Sequence, residues 1–269
     1  MFWKRVISAI IFAVLVVLVI QKGGLWGFLS IVSIIVIIGT IEFFELAIPK
    51  RNRPFLIITI LLNLLLCFSP LRSYWINANL ILCLAVILPF IYEIIIRRPN
   101  LALQNLSSTA LCVLYVGWIF GYHLILLRQM TDGKEIIYLL VSIAWSSDIG
   151  AYLVGRKIGK HKVIVAISPK KSIEGYIAGL IFGTGASIGI CYWLLPSINL
   201  TNAIIIGLIM TIIGQIGDLA ESILKRSANV KDSGRIMPGH GGILDRCDSI
   251  IFMTPALYYY LSYILKIGS

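Results

Sequence analysis

Residues 201–226 read TNAIIIGLIMTIIGQIGDLAESILKR. Wound as an α-helix, this stretch puts Gly207, Thr211, Gly214, Asp218, Ser222 and Lys225 on one stripe, with Glu221 at its edge. The opposite face is Ile and Leu. A bilayer core about 30 Å thick is crossed by about 20 apolar residues in a helix. An Asp at the centre of such a helix costs roughly 2.5–3.5 kcal/mol and calls for a function or a partner. The stretch therefore reads as a membrane-spanning helix with one small, polar face turned toward its neighbours. Asp218 has no cation at i±3 or i±4, so its partner is expected to be a metal ion or a group on another helix. Glu221 and Lys225 are i,i+4 and can form an ion pair.

The same composition runs through the whole chain. Of 269 residues, 59% are apolar and 13% charged, against roughly 45–50% and about 25% in soluble domains. No soluble globular fold could cover that much apolar surface. The expected fold class is all-α, a polytopic integral membrane protein of about nine transmembrane helices. Their positions are roughly 6–21, 25–48, 55–70, 74–96, 101–127, 135–155, 173–195, 202–224 and 247–265. The first follows Lys4 and Arg5 without a clear cleavage site, which predicts a retained anchor. With that alternation, 18 of the 23 Lys and Arg fall on the side of the N-terminus and 5 on the other. Cationic loops stay in the cytoplasm, so the N-terminus is expected to be cytoplasmic and the C-terminus outside. The same rule explains the net charge of +11 without nucleic acid as a partner. The expected location is the inner (plasma) membrane. The five Cys are scattered, which predicts buried thiols and no disulfide framework.

Residues 1–130 are chemically thin. Their charges cluster at span ends, and Glu42, Glu45 and Glu93 lie near Lys or Arg, which predicts structural pairing. Residues 131–269 carry the remaining polar chemistry, with two long loops at 155–172 and 225–245 on the cytoplasmic side. In the sixth span Asp148 shares a small-residue stripe with Ala144, Ala151 and Gly155 and is expected to face a neighbouring helix. The ninth span opens LDRCDSIIF (244–252), so Asp245 and Asp248 project from one face of its first turn. Acidic side chains suit a helix N-terminus. Two carboxylates also suit Mg²⁺, which takes one or two of them together with substrate phosphates. Gly175, Gly179 and Gly183 predict a close-packing helix face that also permits a homodimer.

The first loop, GRKIGKHKVIVAISPKKSIEG (155–175), sets Lys170 and Lys171 just ahead of a helix start, where phosphate is attracted. In the second, KRSANVKDSGRIMPGHGGILDRCD (225–248), Gly234, Gly239, Gly241 and Gly242 allow close approach to a ligand, and His240 lies among them. No Walker A, HExxH or GxSxG pattern is present, and three His rule against a histidine-rich metal centre. Carboxylates, Lys, Arg and Gly gathered at one face fit Mg²⁺-dependent phosphate chemistry on a membrane-bound substrate. A secondary transporter also places carboxylates in helices. Its sites lie at the midplane between related halves, whereas these charges crowd one face and the halves are dissimilar.

The stretch Ser222-Ile-Leu-Lys225-Arg226-x4-Lys231-Asp232-x-Gly234-x3-Pro238-x-His240-Gly241-Gly242-Ile-x-Asp245-Arg246-x-Asp248 resembles the signature of the phosphatidate cytidylyltransferases (CDP-diacylglycerol synthases). Two upstream blocks agree. They are Asp148-x-Gly150-Ala151-Tyr152-x2-Gly155-Arg156-x2-Gly159-Lys160-His161 and Ser168-Pro169-Lys170-Lys171-Ser172-x-Glu174-Gly175. Ile149, Ile173 and Cys247 depart from the family pattern, replacing a hydroxyl residue, a Trp and an aliphatic residue. The resemblance implies transfer of CMP from CTP to phosphatidic acid, giving CDP-diacylglycerol and pyrophosphate, with Mg²⁺ and room for a second metal ion. On that reading Asp218, Asp245 and Asp248 are expected to ligate metal, with Asp148 as a further ligand or orienting group. Lys225, Arg226, Lys231 and Arg246 would meet phosphates. Lys170, Lys171, Ser222, His240, Gly241 and Gly242 would complete the nucleotide and headgroup pocket. A CTP-dependent lipid kinase, moving the γ-phosphate, would use the same groups.

Overall fold

A computed structural model describes residues 16–47, 53–71, 77–97, 99–162, 168, 171–234 and 241–267. Regular structure among them is helical, with one isolated β-bridge between Lys162 and Ser172. Residues 16–22 are helical. Beyond them run α1 (Gly24–Ala47), α2 (Arg53–Phe68), α3 (Ala78–Ile96) and α4 (Ala102–Gln129). These are followed by α5 (Gly133–Ile158), α6 (Ile173–Leu194), α7 (Leu200–Ser227) and α8 (Leu244–Tyr259), which ends in a π-helical turn, Tyr260–Ile264.

Six of these, α1 and α3 to α7, are long and apolar enough to cross a membrane. The chain is thus a multi-pass α-helical membrane protein. The first expected span, 6–21, lies mostly outside the described residues. The third, α2, has 16 residues, fewer than the roughly 20 of a full crossing. The long helices expose large apolar side chains such as Ile34, Ile94, Ile181 and Ile216, as a helix surrounded by lipid does.

The chain divides into two compact units. One comprises residues 1–126 with 227–246, the other 127–226 with 247–269. In the first, Leu62, Leu66, Ile81 and Val113 form a fully buried cluster. Between Val113 and Tyr122 α4 is wound as a π-helix. Here a Cβ on Gly117 would stand 2.2 Å from Asn63 Oδ1, and one on Gly121 2.7 Å from Cys67 Sγ. Glycine is what lets α4 approach α2. Asn63 Nδ2 in turn donates to Thr40 Oγ1 at 2.8 Å, joining α2 to α1. In lipid such small-residue contacts and interhelical hydrogen bonds hold helices together, because burial alone gives them no preference for each other over lipid tails.

The second unit shows the expected glycine face on α6. Cβ atoms on Gly175, Gly179 and Gly183 would fall 3.0 Å from Ala151 O, 2.8 Å from Gln215 Nε2 and 2.2 Å from Thr211 Oγ1. The stripe on α7 is likewise spent on neighbours: Gly214 abuts Met253 and Gly217 abuts the Asp248 carbonyl. A Cβ on Gly207 would lie 2.6 Å from the Thr184 Cα, a backbone atom that cannot rotate away. Gly207→Ala is expected to cost about 1–3 kcal/mol through overpacking, read as a lower unfolding temperature in detergent. Gly185→Ala, whose Cβ meets nothing within 4 Å, is the control and should not lower it.

Candidate active site

The second unit builds its polar centre from four segments. Ser172 caps α6 in extended conformation, accepting the Gly175 N–H at 3.2 Å. Two residues into that helix, the Glu174 carboxylate accepts the His161 backbone N–H at 3.2 Å and lies 2.7 Å from its ring Nδ1. The Ile173 N–H returns to the His161 carbonyl at 2.9 Å. These bonds close the neck of the first basic loop and deliver Lys171 to a defined place. There the Lys171 ammonium forms an ion pair with Asp218 of α7 and stands 6.0 Å from the centre of the Tyr176 ring. The partner that Asp218 lacked along its own helix is thus a lysine from another segment.

One turn further along α7, Glu221 and Lys225 form the expected i,i+4 ion pair. The Glu221 side chain is fully buried, 0% exposed, while that of Lys225 keeps 12%. Asp248 of α8 accepts the Ser249 N–H at 2.6 Å and lies within electrostatic range of Asp218, Glu221 and Asp148. Asp148 on α5 lines a small pocket with Ser147, Thr211, Gln215 and Ser249. Four carboxylates from three helices therefore share one field with two lysine ammonium groups. Carboxylates crowded in a low-dielectric setting repel one another, and the Lys171 and Lys225 ammonium groups offset part of that repulsion.

The donors suit a hard divalent cation, being carboxylate oxygens with hydroxyls nearby. Among the described residues no three His, Cys, Asp or Glu close on a common point as a ready metal cage. Mg²⁺ needs no such cage, since it keeps water and substrate phosphate in its shell. The fit is thus one of chemistry and charge, with ammonium groups standing beside Asp218 and Glu221.

Asp245 belongs to the first unit. Its Oδ2 accepts the Ser233 N–H at 2.8 Å, the Ser233 hydroxyl at 3.0 Å and the Gly242 N–H at 2.8 Å. The reach back to Gly242 fixes the chain just ahead of α8. A second carboxylate serves the same turn. Glu42 of α1, 1% exposed, accepts the Ile243 N–H, the Leu244 N–H and the Ser233 hydroxyl at 2.9, 2.9 and 3.0 Å. The glycines of this loop make room for these groups of the chain itself. A Cβ on Gly241, where φ is +82°, would sit 2.5 Å from Asp245 Oδ2, and one on Gly234 2.4 Å from Glu42 Oε1.

Of the other expected site residues, Ser222 is buried on α7, and Arg226, Lys231 and Arg246 are exposed. Lys170 and His240 lie outside the described residues. Glu42 takes a place that the sequence alone assigns to pairing with a nearby Lys or Arg. For Glu42 the observed partners are backbone N–H groups and a serine, and Glu93 accepts Asn105 Nδ2 at 2.6 Å. The available signal is a carboxylate near the end of an apolar helix, one turn before Glu45.

Compared with known proteins, residues 3–264 match the model of a family described as "Cytidylyltransferase family". The phosphatidate cytidylyltransferase of Bacillus subtilis is 34% identical over 265 residues, covering 96% of this chain and 95% of its own length. That of a Synechocystis species is 31% identical over 297 residues, covering 98% of each. The corresponding protein of Staphylococcus haemolyticus is 40% identical over 163 residues, 61% of this chain and 62% of its own.

Proposed function

Because the chain belongs to the cytidylyltransferase family, and is thus a nucleotidyltransferase, we propose that it transfers CMP from CTP to phosphatidate in the membrane. The products would be CDP-diacylglycerol and pyrophosphate. One observation carries this reading: Asp148, Lys171, and both Lys225 and Asp248, drawn from three separate motif blocks, gather around Asp218 and Glu221 in one unit.

The chemistry asks little of a general base. A phosphate oxygen of phosphatidate, already anionic, attacks the α-phosphorus of CTP. The bond from that phosphorus to the β-phosphate oxygen breaks, and pyrophosphate leaves with the electron pair. The obstacle is charge, since two polyanions must meet. Lys171 and Lys225, each held beside a carboxylate, can exchange that partner for a phosphate oxygen without leaving the site. Fixed cations aimed at developing charge are the usual source of rate in such transfers. Arg226 is exposed next to Lys225 and can take further phosphate oxygens. In the first unit Lys231 and Arg246 are exposed cations of the same kind. Asp218, Asp248 and Asp148 would hold Mg²⁺, which when bound supplies charge screening at the nucleotide phosphates.

We assign this chemistry to the cytoplasmic face of the inner membrane, in a chain of about nine spans with a cytoplasmic N-terminus. The support is the crowding of Lys and Arg on that side. Purified protein given phosphatidate and CTP labelled at the α-phosphate is expected to yield labelled lipid only when Mg²⁺ is present. With CTP labelled at the γ-phosphate in a parallel reaction, label entering lipid would make the protein a lipid kinase and overturn the proposal.

A further inference from the structure

Glu42 sits in a helix that contributes nothing else to the chemistry, yet both of its carboxylate oxygens are engaged by a distant loop. The Ile243 N–H meets Oε1, while the Leu244 N–H and the Ser233 hydroxyl meet Oε2. These two backbone N–H groups belong to the first turn of α8, where a helix has no internal acceptors for them. An anion at that end is favoured by the aligned peptide dipoles as well. The fit extends to the loop's glycines. A Cβ on Gly234 would come within 2.4 Å of Glu42 Oε1 and meets Glu42 atoms as its three nearest neighbours, and one on Gly242 would lie 2.4 Å from Oε2. Ser233 bridges Glu42 to Asp245, with 3.0 Å to each.

A carboxylate in an apolar helix carries a desolvation cost, and a cap could have come from the loop itself. Instead the acceptor lies 201 residues away from Ile243 along the chain. We propose that Glu42 is a positioning residue for CMP transfer. It ties Ser233 to the Ile243–Leu244 turn, and with them sets the orientation of Asp245 at the start of α8. The proposal rests on the reaction assigned above for its rate measurement, but not for its structural one.

Glu42→Gln keeps the size of the side chain and puts an NH₂ group against one of the N–H donors. It is expected to lower kcat for CMP transfer roughly 10- to 100-fold per folded molecule, the scale for misplaced catalytic groups and their supports. In hydrogen exchange, the Ile243 and Leu244 amides should lose protection while those of α2 and α7 do not. Should Glu42→Gln fail to fold, Glu42→Asp, one methylene shorter, is read in the same way. Gly234→Ala should also slow the reaction, and adding it to Glu42→Ala should cost nothing further, because its Cβ then enters vacated space. Undiminished kcat with unchanged exchange would overturn the proposal, and so would effects of Gly234→Ala and Glu42→Ala that simply multiply. Activity lost only in proportion to folded protein would reduce Glu42 to a fold-stabilising group. If the unaltered chain transfers no CMP, the assigned reaction fails, while the exchange of Ile243 and Leu244 still decides what Glu42 does.

Discussion

Asp218→Asn is expected to lower CMP transfer by roughly 10²–10³-fold while leaving the protein folded, the scale for removing one preorganised electrostatic group from a transition state. Asn preserves the shape of the side chain and removes its charge. Two things then change together. The Lys171 ammonium loses its ion-pair partner, and the group of Asp148, Asp218 and Asp248 loses one of the negative charges that would hold a divalent cation. The rate of labelled-lipid formation per folded molecule measures the effect, with the Mg²⁺ concentration varied to see whether the metal requirement rises. Lys171→Met should also slow turnover. The double variant should be barely worse than Asp218→Asn alone, because groups that act as a unit are not additive. Full Mg²⁺-dependent turnover in a folded Asp218→Asn chain would remove Asp218 from the mechanism.

Breaking the pair between Glu221 and Lys225 should instead be felt first in stability. Glu221 is 0% exposed and Lys225 only 12%. Removing one partner of a buried ion pair leaves an uncompensated charge and costs about 3–5 kcal/mol. Lys225→Met is therefore expected to lower the unfolding temperature in detergent more than any exposed substitution such as Arg246→Met. Replacing both partners, as Glu221→Leu with Lys225→Met, removes the stranded charge and should recover most of that loss. CMP transfer should not recover with it, because the phosphate-binding ammonium is gone. That split between regained stability and lost rate separates a structural pair from a working one. A double variant with restored rate would show the pair to be structural only.

Much of the candidate site is legible in the sequence as a set of residue types. Asp218, Asp248 and Asp148 stand out because a carboxylate in an apolar helix has to be explained. The pair of Glu221 with Lys225 follows from helical spacing alone. The Lys171 partner of Asp218 was not readable, because the two are joined through the closure of a loop neck by His161 and Glu174. Asp245 illustrates the same limit. Its spacing from Asp248 sets it with the carboxylates expected to ligate metal, and nothing in that spacing foretells that its Oδ2 also holds Ser233 and Gly242. Gly241 and Gly242 were expected to clear space for substrate, and they clear it for Asp245 and Glu42.

Membrane class, helix positions and the polar face of α7 come from local properties, namely apolar content and a 3.6-residue period, and these act over one or two helical turns. Which carboxylate meets an ammonium, which caps a helix and which remains with its own kind depends on contacts between segments far apart in the chain. Glu42 meets Leu244 across 202 residues, and no periodicity or spacing rule spans that distance. Only the packing of the folded chain could assign those partners, because a buried charge takes whatever donor the fold brings to it.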